Sequence, residues 1–178
     1  MTSKLVLYAP TFRKDGNGEV YDLDIQGMIR SLEKRFKESF VCAVSKHPIN
    51  LAIRYNLKNS ENIILVEKYP DFQELLAAAD VLISDYSGCV YDFSFTKRPV
   101  FLYQKDIEAY KEDRNFYIPM EKLPYIKATN NRQLQHEIEM YDDHLYQQNL
   151  KKFMENMGNY DDGTAVQKVV DKIMEYLE

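Results

Sequence analysis

The residues with most chemical promise lie in the run Ser84-Asp85-Tyr86-Ser87-Gly88. Small polar residues and a glycine stand there between an apolar run and a helical segment. Backbone N–H groups at the start of such a helix lack intrahelical partners, and the helix dipole favours an anion beside them. Ser87 could cap that helix and also donate to a phosphate oxygen. The plainer alternative is a capped helix that holds no ligand. Three further positions carry usable groups. Thr11-Phe12-Arg13 brings a guanidinium fork suited to phosphate, or else a surface arginine in a charged loop. His47, between Lys46 and Pro48, could donate to a phosphate or act as acid or base near neutral pH, or serve structure alone. Asp92, five residues after Ser87, could reach a ribose or glycerol hydroxyl, or stay solvated.

Several other chemistries lack their signatures. There is no G-x-G-x-x-G and no G-x-x-x-x-G-K-[ST]. A triad of Ser87, His47 and Asp92 can be drawn, but no G-x-S-x-G elbow supports it. Cys42 and Cys89 have neither metal nor redox spacing and read as small core residues of a reducing compartment. With three scattered histidines beside them, no metal site is expected. The formal charge is -5, from 23 basic and 28 acidic residues, which argues against a nucleic-acid coat. Nor are the 14 tyrosines and 9 phenylalanines interleaved with a basic patch.

The elements that must position these groups follow from periodicity. Lys4–Ala9, Phe40–Val44, Ile63–Val66, Val81–Ser84 and Pro99–Tyr103 are short, almost continuously apolar runs, the pattern of parallel strands buried on both faces. Between and after them, Leu23–Phe36, Phe72–Ala78, Cys89–Phe95, Asp106–Glu112, Gln133–Tyr141, Leu145–Met157 and Thr164–Leu177 read as helices. Asp71 is placed to cap the second of these, with Glu74 three residues on. In the last, Val166, Val169, Val170, Ile173 and Leu177 fall on one stripe. Arg13–Glu19 reads as an exposed loop and Arg114–Ile126 as irregular. Strand–helix alternation predicts an α/β, Rossmann-like open parallel sheet with helices on both faces. The 178 residues fit one domain, spanning 1–178. No targeting or membrane-spanning segment is visible. In such sheets ligands sit beyond the C-terminal strand ends. Arg13, His47 and Ser87 are therefore expected to converge on one rim.

The quoted residues, in order, carry a resemblance. YAPTFR (8–13), KHP (46–48), ADVLISDYSG (79–88), YDFSFTKRPVFLY (91–103) and DGTAVQKVV (162–170) resemble the C-terminal domain of the CDP-glycerol glycerophosphotransferases, the teichoic acid primases and polymerases of Gram-positive cell envelopes. The resemblance runs from Leu5 to about Ile173. It implies the C-terminal half of a GT-B fold and a donor substrate, CDP-glycerol, with no cofactor. It also implies transfer of glycerol phosphate to a lipid-linked acceptor with release of CMP. The setting would be the cytoplasm, at the inner face of the membrane. His47 then matches a histidine that handles the donor phosphates and is the catalytic candidate. Arg13, Ser84, Asp85, Ser87, Gly88, Asp92, Thr164 and Lys168 form the candidate donor pocket. Gly88 departs from the serine common in relatives and removes one hydroxyl.

Length sets the limit of the resemblance. A GT-B enzyme has two domains, and 178 residues supply one, so the acceptor-binding domain is expected to be missing or separate. A cleft with one wall positions no acceptor. The isolated chain is therefore expected to bind CDP-glycerol weakly and transfer almost nothing. The alternative is a non-catalytic module that binds a nucleotide or phosphate-polyol and acts with a partner domain.

Overall fold

A computed structural model describes residues 3–13, 21–45, 61–66, 68–114, 116–159 and 162–177. Lys46, His47, Pro48 and the loop after Arg13 lie outside the described residues.

Among the described residues, six strands form one sheet: β1 (Lys4–Tyr8), β2 (Phe40–Val44), β3 (Ile63–Leu65), β4 (Val81–Ser84), β5 (Val100–Tyr103) and β6 (Ile126–Ala128). Their order is β3-β2-β1-β4-β5-β6, and every neighbouring pair is parallel. Among the described residues, seven α-helices accompany them: α1 (Ile25–Phe36), α2 (Phe72–Ala78), α3 (Cys89–Ser94), α4 (Ile107–Asp113), α5 (Asn131–Glu139), α6 (Asp143–Asn156) and α7 (Ala165–Glu175). The connection β1–α1–β2 steps one way across the sheet and β4–α3–β5 the other. Right-handed crossovers then put α1 and α3 on opposite faces. Burial agrees, because β4 and β5 are buried at every position.

The expected open α/β sheet is therefore present, with one strand more than periodicity indicated. β6 falls at the end of the stretch read as irregular. It has three residues, lies at the sheet edge, and centres on Lys127. That ammonium donates to the carbonyls of Leu123 (2.8 Å) and Tyr125 (3.1 Å), and burial lowers its pKa.

The helices begin where local chemistry stops them fraying. Asp24 caps α1 through the N–H of Gly27, and Asp71 caps α2 through those of Gln73 and Glu74. Asn130 and Asp142 do the same for α5 and α6. α6 is tied to the turn after α3: the Tyr146 hydroxyl donates to the Arg98 carbonyl at 3.0 Å and Gln147 to that of Lys97 at 2.6 Å. Tyr8, Leu7, Leu82, Ile83, Phe93, Phe101 and Leu102 lie at the centre of the core, fully buried. At about 25 cal/mol per Å² of apolar area, such burial is what holds the strand ends in a fixed plane.

Candidate functional site at the β1–β4 switch point

The strand order reverses between β1 and β4, which is where an open α/β sheet leaves a crevice. The two strand ends run on side by side: the Ala9 N–H donates to the Ile83 carbonyl at 2.9 Å, and the Ser84 hydroxyl to the Ala9 carbonyl at 2.7 Å. Ser84 is thus a fully buried strap between strands.

Beyond that strap stands an ion network. Asp85, almost fully buried, accepts from the Thr11 N–H (2.9 Å), the Thr11 hydroxyl (3.0 Å), the Tyr86 N–H (2.6 Å) and Arg13 Nη2 (3.0 Å). Arg13 also grips Asp106 with Nε at 2.6 Å and Nη2 at 3.0 Å. Its Nη1 donates to the Thr11 carbonyl and hydroxyl. The Tyr86 hydroxyl completes the set by donating to Asp106 Oδ1 at 3.0 Å. Tyr86 and Tyr110 stack with centroids 3.9 Å apart, and the guanidinium lies 5.1 Å from each ring centroid. Arg114 lies 4.4 Å from the Phe12 ring centroid.

Titration follows from these contacts. Burial pushes the Asp85 carboxyl up, against the pull of Arg13 and the N–H groups of Thr11 and Tyr86. Burial also acts on Asp106, but the bonds and charge of Arg13 and the Tyr86 hydroxyl outweigh it and bring that carboxyl below its ordinary value. The Tyr86 phenol is raised, first by burial and then by Asp106. Burial disfavours charge on Arg13, yet its two carboxylates more than compensate and raise its pKa.

Three candidate residues therefore take an internal place instead of the ligand-facing one expected of them. The hydrogen bonds of the Arg13 guanidinium end on Thr11, Phe12, Asp85 and Asp106, so its fork is occupied within the protein. Asp85 faces the same network and Ser84 faces the sheet. Thr11, Tyr86, Tyr110 and Asp106 form the rest of the clamp. Of these, Asp106 was within sequence reach as a polar residue just past the fifth strand, but its partners lie 93 and 20 positions away.

The open side of the rim belongs to Ser87, Gly88 and Asp92. The Ser87 hydroxyl accepts from the Cys89 N–H at 3.3 Å and is half-buried. Among the described residues, the N–H groups of Ser87 and Gly88 donate to no protein acceptor. Gly88 is exposed in right-handed helical geometry, and a Cβ placed there meets nothing within 4 Å. Asp92, exposed, stands one turn above Gly88 on α3. Thr164 and Lys168 bond instead to Asp162 at the foot of α7, all three exposed. Of the three residues expected to converge, Arg13 bonds to Asp85, two positions before Ser87. His47 is outside the described residues.

A parallel sheet ordered 3-2-1-4-5-6, with polar groups gathered at its switch point, defines a Rossmann-type α/β domain. Comparison with known proteins narrows the class. The chain belongs to the CDP-glycerol:poly(glycerophosphate) glycerophosphotransferase family, whose model matches residues 1–175. It is 28% identical to the teichoic acid ribitol-phosphate primase of Bacillus spizizenii, over 98% of this chain and 44% of that protein. It is 31% identical to the teichoic acid glycerol-phosphate primase of Bacillus subtilis, over 96% of this chain and 43% of that protein. Among solved structures, a variant of the wall teichoic acid polymerase TagF soaked with CDPG matches with a TM-score of 0.72 and 31% identity. That match covers 99% of this chain and 44% of the other. The chain thus spans less than half the length of these relatives. No helix among the described residues is long and apolar enough to cross a membrane.

Proposed function

We propose that this domain binds CDP-glycerol, or a related CDP-activated polyol phosphate, at the β1–β4 rim and presents it for transfer to a lipid-linked teichoic-acid-type acceptor. The supporting observation is the match of nearly the whole chain to a TagF structure soaked with CDPG. The pyrophosphate would lie against the open N–H groups of Ser87 and Gly88 and the Ser87 hydroxyl, with Asp92 one turn away to accept from polyol or ribose hydroxyls. The Arg13 network would act beneath them by fixing the strand ends, with its charge neutralised by Asp85 and Asp106.

In the transfer, an acceptor hydroxyl attacks the phosphorus that carries glycerol. The bond from that phosphorus to CMP breaks, CMP leaves, and a base takes the hydroxyl proton. His47 is the proposed residue for handling the phosphates in this step. The acceptor wall would come from outside these 178 residues, and a lipid-linked acceptor would place the domain at the cytoplasmic face of the membrane.

Calorimetric titration with CDP-glycerol, with UDP-glucose as control, tests the donor reading. Weak but saturable binding of CDP-glycerol, reduced by Ser87→Ala and His47→Ala, is the expected result. No heat at millimolar CDP-glycerol would overturn it. A CMP-release assay with a lipid-linked glycerophosphate acceptor tests the second wall, and rapid turnover by the 178-residue chain alone would refute that part.

A further inference from the structure

Lys127 stands apart from the paired lysines of the domain. Lys4, Lys34, Lys111, Lys168 and Lys172 each hold a carboxylate within 3.1 Å. Lys127 is half-buried on the edge strand β6, and its Nζ donates to two backbone carbonyls instead, those of Leu123 at 2.8 Å and Tyr125 at 3.1 Å. Among the described residues it forms no hydrogen bond or ion pair with a carboxylate. An ammonium has three N–H bonds to place, whereas the neutral amine has two and a lone pair. Two carbonyls therefore match the amine, and they leave one N–H of the ammonium without a protein acceptor. Burial acts in the same sense and lowers the pKa of Lys127, against the pull of the Glu121 charge.

Lys127 also lines a groove of about 530 Å³. The buried rings of Tyr125 and Phe153 help to form its wall, and Lys122, Lys152, Glu121 and Glu137 supply its charges. Residues 121–125 precede β6, so the groove opens at the N-terminal end of that strand, while the β1–β4 rim lies beyond the C-terminal strand ends. Lys122 and Lys152 are exposed, and among the described residues neither is paired with a carboxylate. A half-buried nucleophile beside two unpaired ammonium groups suits an electrophile whose leaving group is a phosphate.

We propose that Lys127 is a site of direct acylation, modified by acyl phosphates that enter the groove between Lys122 and Lys152. The Nζ lone pair attacks the acyl carbon, and a C–N bond forms. The bond from that carbon to the phosphate oxygen breaks, inorganic phosphate leaves with the electron pair, and the nitrogen gives one proton to water. The product is a neutral amide with a single N–H. One of the two carbonyls then loses its donor and the groove loses a positive charge, which loosens the entry to β6. Nothing in the donor reading of the β1–β4 rim enters this argument.

The experiment incubates the 178-residue chain with acetyl phosphate and follows each lysine by peptide mass spectrometry. At about pH 8, Lys127 should acetylate at least about threefold faster than the exposed Lys151 and Lys172 in the native protein, and no faster than they do in guanidinium chloride. Its rate should level off at lower pH than theirs. Lys122→Ser with Lys152→Ser, both at exposed positions, should slow the reaction of Lys127 with acetyl phosphate about twofold or more. The same pair should leave its reaction with p-nitrophenyl acetate, an uncharged ester, unchanged. A native Lys127 no faster than Lys151, a pH profile coincident with that of Lys151, or a preference that survives denaturation overturns the proposal. So does acetylation by acetyl-CoA with none by acetyl phosphate, or an equal slowing of both reagents in the double variant.

Discussion

Arg13 and Asp106 stand 93 positions apart in sequence, and two guanidinium nitrogens of one hold both carboxylate oxygens of the other, at 2.6 and 3.0 Å. The pair joins the segment after β1 to the start of α4, and Asp85 ties β4 into the same knot. Both side chains are largely buried, at 9% and 15% exposure, so the contact is shielded from solvent as surface ion pairs are not.

Removal of the arginine should therefore be costly. Arg13→Ala leaves two buried carboxylates without a countercharge, and urea unfolding should show a loss of about 3–5 kcal/mol. Arg13→Lys should recover only part, because an ammonium cannot grip both oxygens of Asp106 and reach Thr11 as well. A loss below about 1 kcal/mol for Arg13→Ala would show that the network does not hold the rim.

The acid side of stability should separate the two carboxylates. The Asp106 carboxyl sits below its ordinary value in the fold, so its contribution is present above the unfolded value and is lost as pH falls through the folded one. Asp85, raised by burial, works in the opposite sense. The stability gap between the wild type and Asp106→Asn should be large at pH 7 and shrink steadily below about pH 4. Urea midpoints at pH 7, 5 and 3 measure it, and a gap that widened toward acid would contradict the assignment.

Gly88 offers a gain-of-contact test. Space for a side chain is open there and the backbone is right-handed helical. Gly88→Ser should change stability by no more than about 0.5 kcal/mol. It should tighten CDP-glycerol binding by about two- to tenfold if its hydroxyl meets a phosphate oxygen. Gly88→Glu, with equal room and the wrong charge, should weaken binding. Equal affinities for all three proteins would move the phosphates away from this end of α3.

The cysteines should be inert. Both are free and buried, and burial pushes the Cys42 thiol up to about 12 and raises that of Cys89 as well. Ellman's reagent should label neither within minutes in the native protein and both in urea. Fast native labelling of either thiol would show that the core around it opens.

The sheet was legible in sequence because its strands are buried on both faces, and a continuous run such as VLIS or VFLY has few other readings. A capping aspartate is also legible, as at Asp71, where two N–H groups converge on the side chain. β6 was missed because three residues centred on a lysine have no period to show. The rim was legible as a place and less so in its wiring. Arg13 looks the same in sequence whether its fork faces a phosphate or two carboxylates, since nothing local marks Asp85 and Asp106 as its partners. The stripe of α7 is visible in sequence as a stripe, but amphipathic spacing alone does not say that it is buried, and none of the helix's side chains is.

The central place of β1 has a consequence for how the chain is made. β1 is synthesised before β4, one of its two neighbours, so Ala9 waits for Ser84, 75 positions later. At about 5–20 residues per second, a ribosome leaves that edge of β1 unpaired for several seconds. A bare, apolar strand edge is a template for pairing with other chains during that interval. Slower translation between β2 and β4 should therefore lower the soluble yield of this domain more than the same delay placed after β5.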